Sequence, residues 1–163
     1  MDIPNSLDFT ERDVDSLSMS LIKTLNLSHL VVASANVSSM TEFFKEVFGI
    51  TPHYANKEFA DFALPSGARV ALFKPVGKSA DYFDATGSRK AVAFGIMVEN
   101  VDEFYKHCTS LAEKFSLTFS GPPKEHPWGE PSFLLIDPDG NRWEITQSPS
   151  KEGILVNKTA KSS

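Results

Sequence analysis

The sequence predicts an α+β fold: two βαβββ modules forming a curved mixed sheet around a cavity, helices outside, with a helical arm at the N-terminus. Three features predict it. A strand–turn–strand motif occurs twice, as FALPSGARVAL (62–72) and FLLIDPDGNRWEI (133–145). Ahead of each copy come a strand and then an apolar stripe at helical spacing. Each half spans only about 50–60 residues, which is marginal for folding alone, so the two are expected to share a core.

The arm, residues 1–26, carries one helical signal. Thr10 stands at a helix start, and Val14, Leu17, Leu21 and Leu25 then fall on one face. An isolated helix of that length is marginal, so its stripe docks on its own body or across a dimer interface. The body, residues 27–147, divides into modules 27–75 and 91–147, and residues 148–163 form a polar tail.

The first module opens with the strand LSHLVVA (27–33). Ser39 with Glu42 reads as a capping box, and Val37, Met40, Phe44 and Val47 make the stripe behind it. Gly49 follows, where a helix end favours a left-handed residue. Strands are expected over 51–55, 59–64 and 69–74. The second module repeats the order. VAFGIMV (92–98) is a strand, Asn100 caps a helix with Glu103 three residues on, and Val101, Phe104, Cys108, Leu111 and Phe115 form its inner face. A short strand near Thr118 leads to the loop GPPKEHPWG (121–129), then to strands over 133–136 and 142–147 around the DPDG turn.

Composition limits function. The 163 residues hold 41% hydrophobic residues and 13 Phe, enough for an interior. A net charge of −5 argues against nucleic acid and anionic membrane surfaces as partners. No apolar run approaches the ~20 residues of a membrane helix, and no secretory signal is visible. The single cysteine, Cys108, rules out an internal disulfide and suits a reducing compartment, so a cytoplasmic location is expected. Cys108 itself sits on an apolar stripe and reads as core. His126 lies in the 121–129 loop beside Trp128. His107 is on the second helix. His53 and Tyr54 alternate, so only one of them faces the cavity.

The residues HLVV (29–32), EFFKEVFG (42–49) and WGEPSFLLIDPDGNRWEITQ (128–147) resemble the vicinal oxygen chelate superfamily, which includes glyoxalases, bleomycin-resistance proteins and extradiol dioxygenases. The resemblance covers residues 27–147. In that family up to four ligands line the cavity, two from the opening strands and two from the closing strands. Matching the turn glycines and the helix starts puts His29, Ala71, Ala93 and Glu144 at those positions. A catalytic zinc takes three protein ligands and non-heme iron takes two His and a carboxylate, whereas only His29 and Glu144 carry donors.

His29 and Glu144 therefore have three readings. They are a catalytic acid/base pair, an incomplete metal site, or framework residues bonded to neighbouring strands. Alternation gives the rest of the lining: Val31 with His29, Phe73 with Ala71, Gly95 and Met97 with Ala93, and Arg142 and Thr146 with Glu144, while Trp143 points to the core. Trp128 and Phe133 complete the expected ligand contacts. This mostly apolar lining suits a small organic molecule, held without a cofactor, and the resemblance to the drug-sequestering members implies a homodimer. The alternatives are a metal-dependent lyase or dioxygenase with a divalent metal on His29, Glu144 and a further ligand, and a metal-free isomerase or lyase using His29 and Glu144.

Overall fold

The computed structural model describes residues 28–85, 92–127 and 129–149. The expected arm helix, Trp128 and most of the tail lie outside the described residues. The first module comprises β1 (His29–Ala33), α1 (Val37–Val47), β2 (Tyr54–Ala55), β3 (Phe59–Ala63) and β4 (Arg69–Phe73), followed by a 3-10 turn at Gly77–Asp81. The second comprises β5 (Ala93–Val98), α2 (Val101–Ser110), α3 (Ala112–Phe115), β6 (Thr118–Phe119), β7 (Lys124–His126), β8 (Gly129–Ile136) and β9 (Arg142–Gln147).

The chain is thus α+β with two mixed sheets. Their strand orders are β1-β4-β3-β2 and β5-β9-β8-β6, with β7 added on β8. The outer strand pairs β1/β4 and β5/β9 are parallel, and the others are antiparallel. Among the described residues no ladder joins the two sheets. The duplication is visible in the backbone. Gly67 donates to the Leu64 carbonyl at 2.8 Å and Gly140 to the Asp137 carbonyl at 2.9 Å, with φ of 87° and 82°, a region that favours glycine. Two residues later Arg69 lies opposite His29, and Arg142 opposite Ala93. His29 and Ala93 therefore correspond by register, as do Ala71 and Glu144.

One core serves both modules. The inner faces of the sheets supply Val32, Phe62, Val70 and Leu72 from one and Phe133, Leu135, Trp143 and Ile145 from the other. Helix α1 lies between them. The Phe44 ring stacks on Phe62 at 4.6 Å and meets Trp143 edge-on at 5.5 Å, and Phe48 reaches both Trp143 and Phe104. Cys108 is fully buried in this core, where burial pushes its thiol up to about 12. Polar contacts add to the seam. Lys114 Nζ donates to the Glu46 carboxylate at 2.6 Å, and His107 Nε2 meets the Glu46 carbonyl at 2.9 Å.

Some local expectations are corrected. Helix α1 is capped by Asn36, whose side chain accepts from the Ser39 N–H at 3.1 Å. The proposed Ser39–Glu42 box lies inside the helix, and Glu42 pairs instead with Lys45 at 2.9 Å. Asn100 caps α2 through the Glu103 N–H, as expected, and Gly49 takes a left-handed φ of 68°. The 121–129 loop contains a strand, β7, and β8 starts at Gly129 rather than Phe133. Four prolines over 122–131 conceal it. Pro131 is tolerated because the β7/β8 ladder is irregular there, with pairs only at Lys124–Ser132 and His126–Gly129.

Candidate functional site

The face of the first sheet turned from the core carries His29 and Val31 on β1, Phe59 and Asp61 on β3, and Arg69, Ala71 and Phe73 on β4. These seven residues line a recess of about 180 Å³. Its floor and one end are apolar. Val31 is 45% exposed, while Ala71 is buried, and the Phe73 ring is braced edge-on by Phe83 at 4.8 Å. The other end is polar. His29 Nδ1 lies 2.7 Å from the Ser28 hydroxyl. Asp61 Oδ2 accepts from the Arg69 guanidinium and from His53 Nε2, the latter at 2.9 Å. Burial alone would raise the Asp61 carboxyl, but the hydrogen bond and charge of Arg69, then those of His53, outweigh it and hold the group below its usual range.

His53 precedes β2, so alternation does not govern its ring. Tyr54 stands opposite Asp61 and its ring contacts Phe59 at 6.1 Å, and both side chains reach this face. That corrects the expectation that only one of the two would.

On the second sheet the corresponding face carries Ala93, Gly95 and Met97 beside Arg142, Glu144 and Thr146. Met97 is 62% exposed, and a methyl added at Gly95 would meet nothing within 4 Å. Glu144 Oε1 accepts from the Ser132 hydroxyl at 3.3 Å, and His126 Nε2 lies 3.1 Å from the same hydroxyl. Serine stands in the middle of this chain. A nucleophilic triad needs the histidine between serine and carboxylate, so the arrangement orients Glu144 rather than activating Ser132. Phe133 is not part of the lining: it pairs with Ile145, which puts it on the buried face against Tyr105 at 5.0 Å. Leu134 takes the place beside Glu144.

Within the chain the recess at His29 is built from β1, β3 and β4 alone. Glu144 is engaged instead with Ser132, whose hydroxyl also meets His126. Gly95 and Met97 line a larger cleft of about 450 Å³ with Phe48, Leu64 and Phe104, and Val31 and Arg142 meet in a third of about 240 Å³. The donor set does not fit a catalytic metal. Two of the four expected positions are methyl groups, and among the described residues no three His, Cys, Asp or Glu side chains are placed to hold an ion. The His53–Asp61 pair offers two donors, but Arg69 already occupies the same carboxylate oxygen. Sequence reasoning missed Asp61, Arg69 and Ser132. Arg69 had a signal, since it shares the period-two face of Ala71. An aspartate inside the apolar strand FADFA was another.

Residues 26–145 match the family described as the Glyoxalase/Bleomycin resistance protein/Dioxygenase superfamily. A trivalent organoarsenical cleaving enzyme of Bacillus sp. (strain MD1) is 27% identical over 124 residues, covering 74% of this chain and 72% of that one. Among solved structures, a glyoxalase-related enzyme from Fulvimarina pelagi aligns with a TM-score of 0.64 at 20% identity, covering 76% of this chain and 88% of its own. The fosfomycin resistance protein FosX from Listeria monocytogenes, complexed with Mn(II) and sulfate, aligns with a TM-score of 0.61 at 16% identity, covering 81% and 97%. At these identities the structural likeness is one of fold.

Proposed function

Because the chain belongs to the glyoxalase/bleomycin-resistance/dioxygenase superfamily, we propose that it binds a small organic molecule on the His29 face, without a complete metal site. The observation that carries this reading is the recess itself. Val31, Phe59, Ala71 and Phe73 offer apolar surface beside His29, and Ala71 puts a methyl group at a position where the family resemblance implies a ligand. A drug-sized ligand needs about 300–1,000 Å³, so a recess of about 180 Å³ supplies one wall. That shortfall, with Val31 and Met97 exposed by 45% and 62%, supports a homodimer in which a second copy closes the site. No described helix is long and apolar enough to cross a membrane, and a cytoplasmic location belongs to the same proposal.

A second reading, a lyase of the same superfamily, is favoured by the organoarsenical-cleaving relative. Thiol capture of a trivalent arsenical would need an accessible thiolate. This chain has one cysteine, and its thiol is buried in the core and pushed up to about 12. The binding reading therefore has the better support. Its test is a cavity-filling variant. In EDTA-containing buffer the wild type is expected to bind the neutral aromatic probe 1-naphthol saturably. Ala71→Phe should weaken that binding about tenfold or more, with unfolding still cooperative. Undiminished binding by the variant would remove the site from this face.

A further inference from the structure

Resting on that reading, we infer that the ligand carries a compact oxyanion, carboxylate or phosphonate, held by Arg69 at the polar end of the recess while its apolar body lies against Val31, Ala71 and Phe73. The observation is the juxtaposition of one preset guanidinium with an apolar floor. Arg69 projects from β4 next to His29 and across from Ala63 on β3. Its side chain is 52% exposed, and among the described residues the one side chain it engages is Asp61. A guanidinium has five N–H donors in a planar fork, so one carboxylate leaves an edge open to the recess. Asp61 in turn is fixed by His53 and is only 7% exposed. The arginine is therefore anchored through one side of its fork and presented through the other.

The internal repeat supplies a second observation. The two copies share six face positions on their paired opening and closing strands. Five differ: His29 against Ala93, Val31 against Gly95, Ala33 against Met97, Ala71 against Glu144, and Phe73 against Thr146. Arg69 and Arg142 are the one pair that matches. A planar, bidentate, permanently charged donor is the group suited to a carboxylate or phosphonate. Donors also outnumber acceptors at this end of the recess. Arg69 and His53 both meet the one carboxylate there, Asp61.

The test compares three probes of similar body by calorimetric titration: benzoate, phenylphosphonate and neutral benzamide. Wild-type protein should bind at least one of the two anions about tenfold more tightly than benzamide. Arg69→Gln should abolish that preference and leave benzamide binding in place. Arg69→Lys, which keeps the charge and partners Asp61, should retain part of it and guards against a folding defect in the first variant. Equal binding of all three probes by the wild type, or an anion preference that survives Arg69→Gln, overturns the inference while the apolar site stands. Failure of every probe, benzamide included, overturns both.

Discussion

Replacing Trp143 with alanine is expected to lower the unfolding free energy by about 4 kcal/mol, the largest single loss in the described structure. The indole is 1% exposed and belongs to the second module, yet two of its three ring partners, Phe44 and Phe48, belong to the first. The third is Phe94 at 5.1 Å. Truncation removes a large apolar surface and opens a cavity at the seam, where helix α1 cannot collapse without leaving Phe62. It also removes one of the donors to Asp137, whose Oδ2 accepts from the indole N–H at 2.9 Å. Chemical denaturation with far-UV and near-UV detection checks this. Coincident transitions at a lower midpoint are expected. A loss below about 1 kcal/mol would mean that the modules do not share a core through this ring.

Asp137→Ala should cost about 3 kcal/mol, nearly as much, although a turn residue is replaced. Asp137 is 3% exposed. Its Oδ1 accepts from the backbone N–H groups of Asp139 at 3.0 Å and Asn141 at 2.8 Å, and its Oδ2 from the Asn141 amide and the Trp143 indole, each at 2.9 Å. Removing the carboxylate leaves the buried indole N–H and three part-buried donors without their acceptor, which costs more than the net worth of the bonds. Burial raises the Asp137 carboxyl, and the hydrogen bonds from Trp143 and Asn141 offset only part of that. A raised folded pKa means a contribution to stability that is complete below the unfolded value, near 3.9, and lost as pH rises through the folded one. Asp137→Asn cannot titrate, so its deficit relative to wild type should be larger at acidic pH than at neutral pH. Unfolding midpoints of the two proteins measured across that range give the sign directly.

Much of this fold was legible because its periodicities are clean. Alternation put Trp143 in the core and Glu144 on the opposite face, and the turn glycines aligned two copies that the strand registers also align. The misses have physical causes. Asn36 and Ser39 both stand where a cap can form, and the Ser39–Glu42 spacing satisfied a pattern whose geometry the chain does not use. Proline density hid β7, because an irregular ladder accepts prolines that a regular one rejects. Phe133 is expected as a ligand contact, but it lies opposite Ile145, and a one-residue difference along a strand reverses the face. The Asp61–His53–Arg69 cluster joins three separate segments. No spacing rule within one segment can assemble it.

The central claim is that this member of the superfamily holds its ligand on an apolar sheet face with His29 and Glu144 left short of a metal site. Metal analysis of protein purified without chelator tests it most directly, with zinc, iron, manganese and nickel quantified after exhaustive dialysis. Strongly substoichiometric metal is the expected result, with His29→Ala leaving the content unchanged. A stoichiometric ion that survives dialysis and is lost on His29→Ala or Glu144→Ala would contradict the claim and restore a metal-dependent reading.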